Sequence, residues 1–180
     1  CVSRAYPVAV SGARRLLAAA LLLVLLSGCV AKAAPAPAVL RQTPPPWPAP
    51  RDGIAYFEAA GVPASRLDDR SNQRVVTVAI SIDDVGVPLV PNIGVDRPRA
   101  LQAPVHTHDA SGTVWLEGQG VQDVTLGQFF TIWGVRFDER CLGAACGGVE
   151  VSADGAAVAT PAELRLAEVS DVQIRAASGS

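Results

Sequence analysis

A nine-residue run of alternating side chains, from Arg74 to Ile82, most strongly constrains how this chain can fold. The run, RVVTVAISI, is rich in β-branched residues, which are stiff at χ1 and pack well on a pleated surface. One face has Val76, Val78, Ile80 and Ile82, and the other has Val75, Thr77, Ala79 and Ser81. This period-two pattern predicts a β-strand with one buried face.

Turn-forming residues between further β-like stretches predict antiparallel hairpins. Residues 83–86 (DDVG) follow the first strand, and a second short strand is expected over 87–90. The segment 149–159 contains an Asp-Gly pair that begins at Asp154, a strong signal for a two-residue hairpin turn. The run 171–176 (DVQIRA) has its own alternation and is expected to be a strand.

One helix is well specified, and it completes the predicted fold class. Thr125 as N-cap and Gln128 three residues later form a capping box, and Gly134 is placed to end the helix. Its apolar residues follow helical spacing: Leu126, Phe129, Phe130 and Trp133. A weaker helix is expected over 53–60. The sequence thus predicts an α+β fold, mainly antiparallel β-hairpins with one short, aromatic-rich amphipathic helix packed on the sheet.

The N-terminal segment has the organisation of a secretory signal peptide. Arg14 and Arg15 precede an uncharged apolar run over 16–26, and small residues follow. As a helix this run would extend only about 16 Å, short of the roughly 30 Å hydrocarbon core of a bilayer. The order Leu-Ser-Gly-Cys ending at Cys29 resembles the lipobox of bacterial lipoproteins. That resemblance implies removal of residues 1–28, lipidation of Cys29 and attachment to the extracytoplasmic side of the cell membrane or envelope; a plain signal peptide with a chance cysteine is the alternative.

Composition divides the remaining chain into a tether and a domain. Residues 30–50 contain seven prolines, which favour extended polyproline II. We therefore expect the anchor and a semi-rigid tether over 29–50 and a single globular domain over 51–180. Removal of residues 1–28 takes three of the 15 basic residues and none of the 17 acidic ones, which leaves a net charge of −5. An acidic chain without a basic cluster is not expected to bind nucleic acid.

Two cysteines of the mature chain, Cys141 and Cys146, lie in the short segment CLGAAC. In an oxidising, exported setting a disulfide that closes a small loop is the expected state. A metal-binding pair and two free thiols are the alternatives.

Both histidines of the chain, His106 and His108, lie in the stretch HTHDASGTVW. If residues 109–112 form a hairpin loop, His108 stands opposite Thr113 and His106 stands opposite Trp115. Both imidazoles then face one side of the hairpin. Residues two apart on a strand are about 7 Å apart, so the two rings can converge on one metal ion.

Carboxylates near the hairpin could complete such a site. Asp109 and Glu117 are the nearest in sequence, and Asp83 or Asp84 are candidates from a neighbouring strand. Imidazole nitrogen suits copper(II) and zinc, and carboxylate or water can fill the remaining positions. The chain has no third histidine and no methionine, which limits the set of ligands.

Three stretches together are similar to an uncharacterised family of exported and lipid-anchored bacterial proteins with the pattern PxxIGI, HTHDxSGxIHxE and TLGQFFxxWG. They are VPNIGV (90–95), HTHDASGTVWLEG (106–118) and TLGQFFTIWGVRF (125–137), in the same order. The resemblance implies export and lipid anchoring and names no activity. Trp115 stands where the pattern has histidine, and VVTVAISI stands where an upstream histidine pair would fall.

Three functions are compatible with these features. The first is a non-catalytic binding or interaction module of the cell envelope, with His106, His108 and Asp109 structural and other envelope proteins as partners. The second is a copper- or zinc-binding protein that uses the HTHD cluster. The third is a metal-assisted hydrolase, for which the sequence offers no nucleophile with an orienting base, so an enzyme is not expected.

Overall fold

Strand β2, Arg74–Ile82, lies in the middle of the main sheet in the computed structural model, which describes residues 36–179. Strand β10, Asp171–Ala176, pairs with β2 in parallel along one edge. Two antiparallel partners share the other edge of β2: β7, Thr113–Leu116, pairs with its first half, and β3, Val85–Val87, pairs with its end.

The other strands of the described chain complete two sheets. They are β1 Ser65–Arg66, β4 Val95–Asp96, β5 Leu101–Gln102, β6 Val105–His106, β8 Val149–Ala153 and β9 Ala156–Ala157. The main sheet has the order β6-β7-β2-β10-β8-β9, with β3 beside β2, and the small sheet has the order β1-β5-β4. Apart from β2–β10, the pairs between these named strands are antiparallel. The predicted α+β class with mainly antiparallel strands is confirmed.

Both predicted helices form. Helix α1 covers Ile54–Ala60 and helix α2 covers Leu126–Trp133. The capping box of α2 is present: the Thr125 hydroxyl accepts from the Gln128 amide at 3.2 Å, and Gln128 Oε1 accepts from the Thr125 amide at 2.9 Å. The same Gln128 side chain donates to the carbonyl oxygen of Ala60 at 2.9 Å, so it also ties the end of α1 to the start of α2. Short 3-10 helices cover Val121–Asp123, Pro161–Glu163 and Leu166–Glu168.

The core lies between α2 and one face of the main sheet. The buried side chains of α2 and the inward side chains of the strands belong to one hydrophobic cluster. From α2 these are Leu126, Phe129, Phe130, Ile132 and Trp133, and from β2 and β10 they are Val76, Val78, Ile80, Val172 and Ile174. The predicted buried face of β2 and the aromatic stripe of the helix are therefore confirmed.

The hairpin after β2 is tighter than predicted. Asp83 and Asp84 form a two-residue turn with φ angles of 49° and 64°, the left-handed values that suit the twist of a hairpin. Strand β3 therefore begins at Val85 and includes Gly86, whereas the sequence predicts a strand over 87–90. The second predicted turn, at Asp154, connects β8 and β9 as expected.

Part of the proline-rich segment belongs to the folded unit. The sequence predicts a tether up to residue 50, whereas the indole of Trp47 is only 1% exposed. Its ring meets that of Trp133 edge to face at 5.5 Å, and Trp133 Nε1 donates to the Trp47 carbonyl oxygen at 3.0 Å. A buried indole contributes several kcal/mol of hydrophobic free energy, which holds this extended backbone on the domain.

Arg41 attaches the same segment, residues 41–49, to the end of α2. The Arg41 amide donates to the Gly134 carbonyl oxygen at 2.9 Å. The Arg41 guanidinium donates to the carbonyl oxygens of Trp133 and Gly134, both at 3.2 Å. The last carbonyls of a helix lack partners within the helix, so the guanidinium supplies the missing donors. We call residues 41–49 the strap.

The predicted disulfide joins Cys141 and Cys146, which excludes a metal-binding role for this pair. The signal peptide predicted over 1–28 and the lipidation site Cys29 lie outside the described residues. Within residues 36–179, no helix has both the length and the apolar character that a membrane span requires.

Substitution of Trp47 tests the strap. We expect Trp47→Ala to lower the free energy of unfolding by about 3–5 kcal/mol, because the change leaves a large cavity beside Trp133. Gln42→Ala, at an exposed strap position, is the matched control and should change it by less than about 0.5 kcal/mol. Urea unfolding followed by circular dichroism measures both. Equal stability of Trp47→Ala and the unsubstituted protein would mean that the strap is only a tether.

Candidate metal centre

The hairpin that carries both histidines has the predicted register. In the β6–β7 pair, Val105 lies opposite Leu116 and His106 lies opposite Trp115. Pairing stops at His106, so the connecting loop covers residues 107–112 and is wider than the four residues predicted.

Thr107 is the reason the pairing stops. Its side chain is buried, and its hydroxyl donates to the Val90 carbonyl oxygen at 2.6 Å and accepts from the Ile93 amide at 3.1 Å. Its backbone amide donates to the Ile93 carbonyl oxygen at 3.0 Å, and its carbonyl oxygen accepts from the Asn92 amide at 2.9 Å. Because residues 90–93 satisfy its polar groups, Thr107 does not continue the ladder with β7.

Gly94 supports His106 from behind. Its φ angle is 73°, and a Cβ atom at this position would lie 2.1 Å from the Val105 carbonyl oxygen and 3.0 Å from the His106 Cβ. Only glycine permits so close an approach of two backbones. The segment 90–95 and the histidine hairpin are therefore packed directly on each other.

The His106 ring is buried without a well-aligned hydrogen bond. The residue is 1% exposed, and the backbone of Ala103 and the carboxylate of Glu117 are its polar neighbours. Its Nε2 lies 3.3 Å from Oε2 of Glu117, but the N–H does not point at that oxygen. Burial lowers the pKa of His106 below 6.5, and the charge of His108 adds to the decrease. The charge of Glu117 and the polar contacts with Ala103 and Glu117 act in the opposite direction.

Glu117 is a buried carboxylate, and one of its two oxygens accepts a hydrogen bond. The residue is 3% exposed, and its Oε1 accepts a hydrogen bond from Nε2 of Gln73. The other oxygen, Oε2, faces His106. Sequence reasoning missed Gln73, because it becomes a neighbour of Glu117 only through the pairing of β2 with β7.

His108 lies on the solvent side of the site. It is exposed, and its ring meets those of His106 at 5.0 Å and Trp115 at 5.1 Å, both edge to face. Trp115 is half-buried, so it shields one side of His108 and leaves the imidazole accessible to solvent.

Three ligand atoms converge at this point. His106, His108 and Glu117 each offer one atom, and these atoms all lie within 4.8 Å of one another. With metal–ligand bonds of about 2.0–2.2 Å, two ligands of one ion lie roughly 3–4 Å apart, so an adjustment of about 1 Å completes the geometry. The exposed His108, on the loop, is the ligand that can move.

Asp109 is not part of the converging set. Its Oδ1 accepts a hydrogen bond from the Ser111 amide at 2.8 Å and stabilises the turn, and this bonding lowers the pKa of Asp109. The sequence predicts Asp109 as a metal ligand and, in the structural alternative, as a turn cap; the geometry corresponds to the turn cap. Asp83 and Asp84 lie beyond the far end of β2, where Asp83 accepts a hydrogen bond from the Ser178 amide.

Comparison of the chain with models of protein families, with curated proteins and with solved structures found no match in any of the three. The chemistry of the site therefore carries the functional argument.

The burial of His106 predicts a pH-dependent stability of the metal-free protein. Because its pKa is lower in the folded state, the unfolded state takes up a proton first as the pH decreases. Its contribution is fully present above pH 6.5, the usual value, and is lost as the pH falls below it. With a chelator present, we expect urea unfolding to show a smaller stability difference between pH 7.5 and 5.5 for His106→Asn than for the unsubstituted protein. Parallel pH profiles of the two proteins would contradict this.

Proposed function

We propose that the protein is a lipid-anchored, non-catalytic module of the cell envelope that binds one transition-metal ion, copper(II) or zinc, through His106, His108 and Glu117. The observation that carries this proposal is the buried imidazole of His106. Neither of its nitrogens makes a well-aligned hydrogen bond within the described residues, and Nε2 lies 3.3 Å from the Glu117 carboxylate.

The energetics of the buried groups support an ion. A buried polar group without a partner costs about 1–3 kcal/mol, and native proteins retain few of them. At Glu117 the ion-pair contact within residues 36–179 is with His106, whose lowered pKa favours the neutral ring. A divalent cation at this point would coordinate Nε2 and balance the carboxylate charge.

The donor types support copper(II) or zinc. Two imidazoles and one carboxylate match the preference of both ions for nitrogen and oxygen ligands. Among residues 36–179, no free sulfur ligand is available: the sequence has no methionine, and Cys141 and Cys146 are joined to each other.

The structural alternative fits the site less well. If the histidines served only to stabilise the hairpin, His106 would form well-aligned hydrogen bonds across it, and its ring forms none of this quality with residues 36–179. A hydrolase would need a substrate cleft beside the ion. Five cavities of the described surface, from 320 to 560 Å³, are lined by other residues.

Placement in the envelope rests on sequence features. The apolar segment before Cys29 resembles a lipoprotein signal, and the acylated cysteine would attach the domain to the membrane. The disulfide between Cys141 and Cys146 agrees with an oxidising, extracytoplasmic compartment. A metal ion would there be exchanged with other envelope components.

Calorimetric titration with copper(II) and with zinc tests the site. We expect one ion per chain with micromolar or tighter affinity for at least one of the two metals, and no binding at this site in the double variant His106→Ala, His108→Ala. Asp109→Ala is the matched control and should retain the affinity, because this carboxylate bonds to Ser111. Bound metal should stabilise the fold by about 2.7 kcal/mol at a free concentration one hundred times Kd. Binding that survives the double substitution, or none in the unsubstituted protein, would refute the proposal.

Gln73 should tune the affinity without contacting the ion. Residues that orient a metal ligand typically contribute a factor of about 10–100 in affinity. We therefore expect Gln73→Leu to weaken metal binding by about that factor. Because the change also removes a hydrogen-bond donor from a buried carboxylate, we expect it to lower the free energy of unfolding of the metal-free protein by about 1–3 kcal/mol. Gln122→Leu, at another exposed glutamine outside the cluster, should leave the affinity unchanged. Equal metal affinities of the two variants would show that Gln73 does not contribute to metal binding.

A further inference from the structure

The protein supplies one ligand atom from each of three residues to the ion, and no fourth histidine, cysteine, aspartate or glutamate of the described residues joins the group. Oε1 of Glu117 accepts a hydrogen bond from Gln73, and Oε2 is the oxygen that faces His106. Asp109, the nearest other carboxylate in sequence, accepts the Ser111 amide and lies outside the converging group. Zinc takes at least four ligands, and copper(II) favours four in a tetragonal arrangement.

A fourth ligand can reach the ion only from the solvent side. Behind the site, Gly94 packs against the backbone of Val105 and His106 so closely that a methyl group would not fit. Val105 and Leu116 are fully buried on the other face of the hairpin. His108, by contrast, is exposed.

We propose that the ion keeps one coordination position open beside His108 and that this position binds a small nitrogen-donor ligand of the imidazole type from outside the chain. This inference rests on the metal site proposed above. Nitrogen donors are expected because the ions that suit two imidazoles and a carboxylate also bind a further imidazole well. The incoming ligand replaces a water molecule, and neither the metal nor the protein changes oxidation state.

An open position gives the site a specific role. An ion enclosed by four protein ligands leaves only when the protein releases one, whereas an open position lets an incoming ligand bind before any protein ligand is lost. With His108 exposed, such a ligand could displace it next while the buried pair His106 and Glu117 still holds the ion. The geometry therefore favours exchange of the ion with small chelating molecules over long-term storage.

Titration of the copper(II)-loaded protein with imidazole tests this inference. We expect a saturable change with one imidazole per copper, seen as a shift of the visible absorption band to shorter wavelength and as additional nitrogen coupling in the electron paramagnetic resonance spectrum. Equilibrium dialysis should show that copper stays with the protein through this step.

Trp115→His provides the matched control. Position 115 lies opposite His106 and two residues before Glu117 on the same strand face, so an imidazole there points toward the ion. An internal imidazole would fill the open position, and we expect the response to added imidazole to weaken at least tenfold. Asp109→Ala should respond like the unsubstituted protein.

The possible outcomes separate the two proposals. Failure to bind either copper(II) or zinc before imidazole is added would refute the metal site itself. If copper binds and its spectrum does not change when imidazole is added, only the open position is refuted. The same holds if imidazole removes the copper from the protein without first binding to it. A copper-dependent dimer seen by sedimentation, with no response to imidazole, would mean that a second copy supplies the fourth ligand and would also overturn the inference.

Discussion

The hydrogen bonds of Thr107 with residues 90–93 determine where both histidines lie. Because these bonds satisfy the polar groups of Thr107, β6 ends at His106 and the following residues form a loop. His106 is thereby held against the Gly94 backbone in the interior, while His108, two residues later, lies in solvent. One buried threonine between two histidines thus produces a site with a rigid, buried side and an adjustable, exposed side. An exchange site needs this asymmetry, since the ion must be both held and accessible.

The rest of the fold provides a stiff support for that hairpin. Strand β7 lies beside β2 and carries Trp115, with Glu117 directly after its end, and β2 is held by its parallel pairing with β10. On the covered face, the aromatic side chains of α2 fill the core, and the strap adds Trp47 to it from the proline-rich segment. The strap also links the chain that leads to the proposed anchor directly to the end of α2, through Arg41.

Local patterns predicted local structure well, and their limits are physical. The capping box at Thr125 and the Asp-Gly turn at Asp154 depend on residues within four positions of each other, so both were predicted from sequence. The position of His106 opposite Trp115 was also predicted, because a hairpin between the two residues is enough to place them there. The assignment of Trp47 to a tether failed for the opposite reason, because proline density outweighed one aromatic residue whose partner, Trp133, lies 86 residues away. Of the two roles predicted for Asp109, the turn cap needs only the nearby Ser111 amide.

By itself, the sequence determined the α+β class, the helix with its caps, the turns, the disulfide and two adjacent histidines with a carboxylate nearby. These features follow from side-chain alternation, turn chemistry and short separations along the chain. Only the tertiary structure decided that β2 pairs in parallel with β10, that Gln73 donates to Glu117 and that His106 is buried without a well-aligned hydrogen bond while His108 is exposed. Such relations join residues distant in sequence, and the packing of the whole core sets them because no local pattern encodes which strands become neighbours.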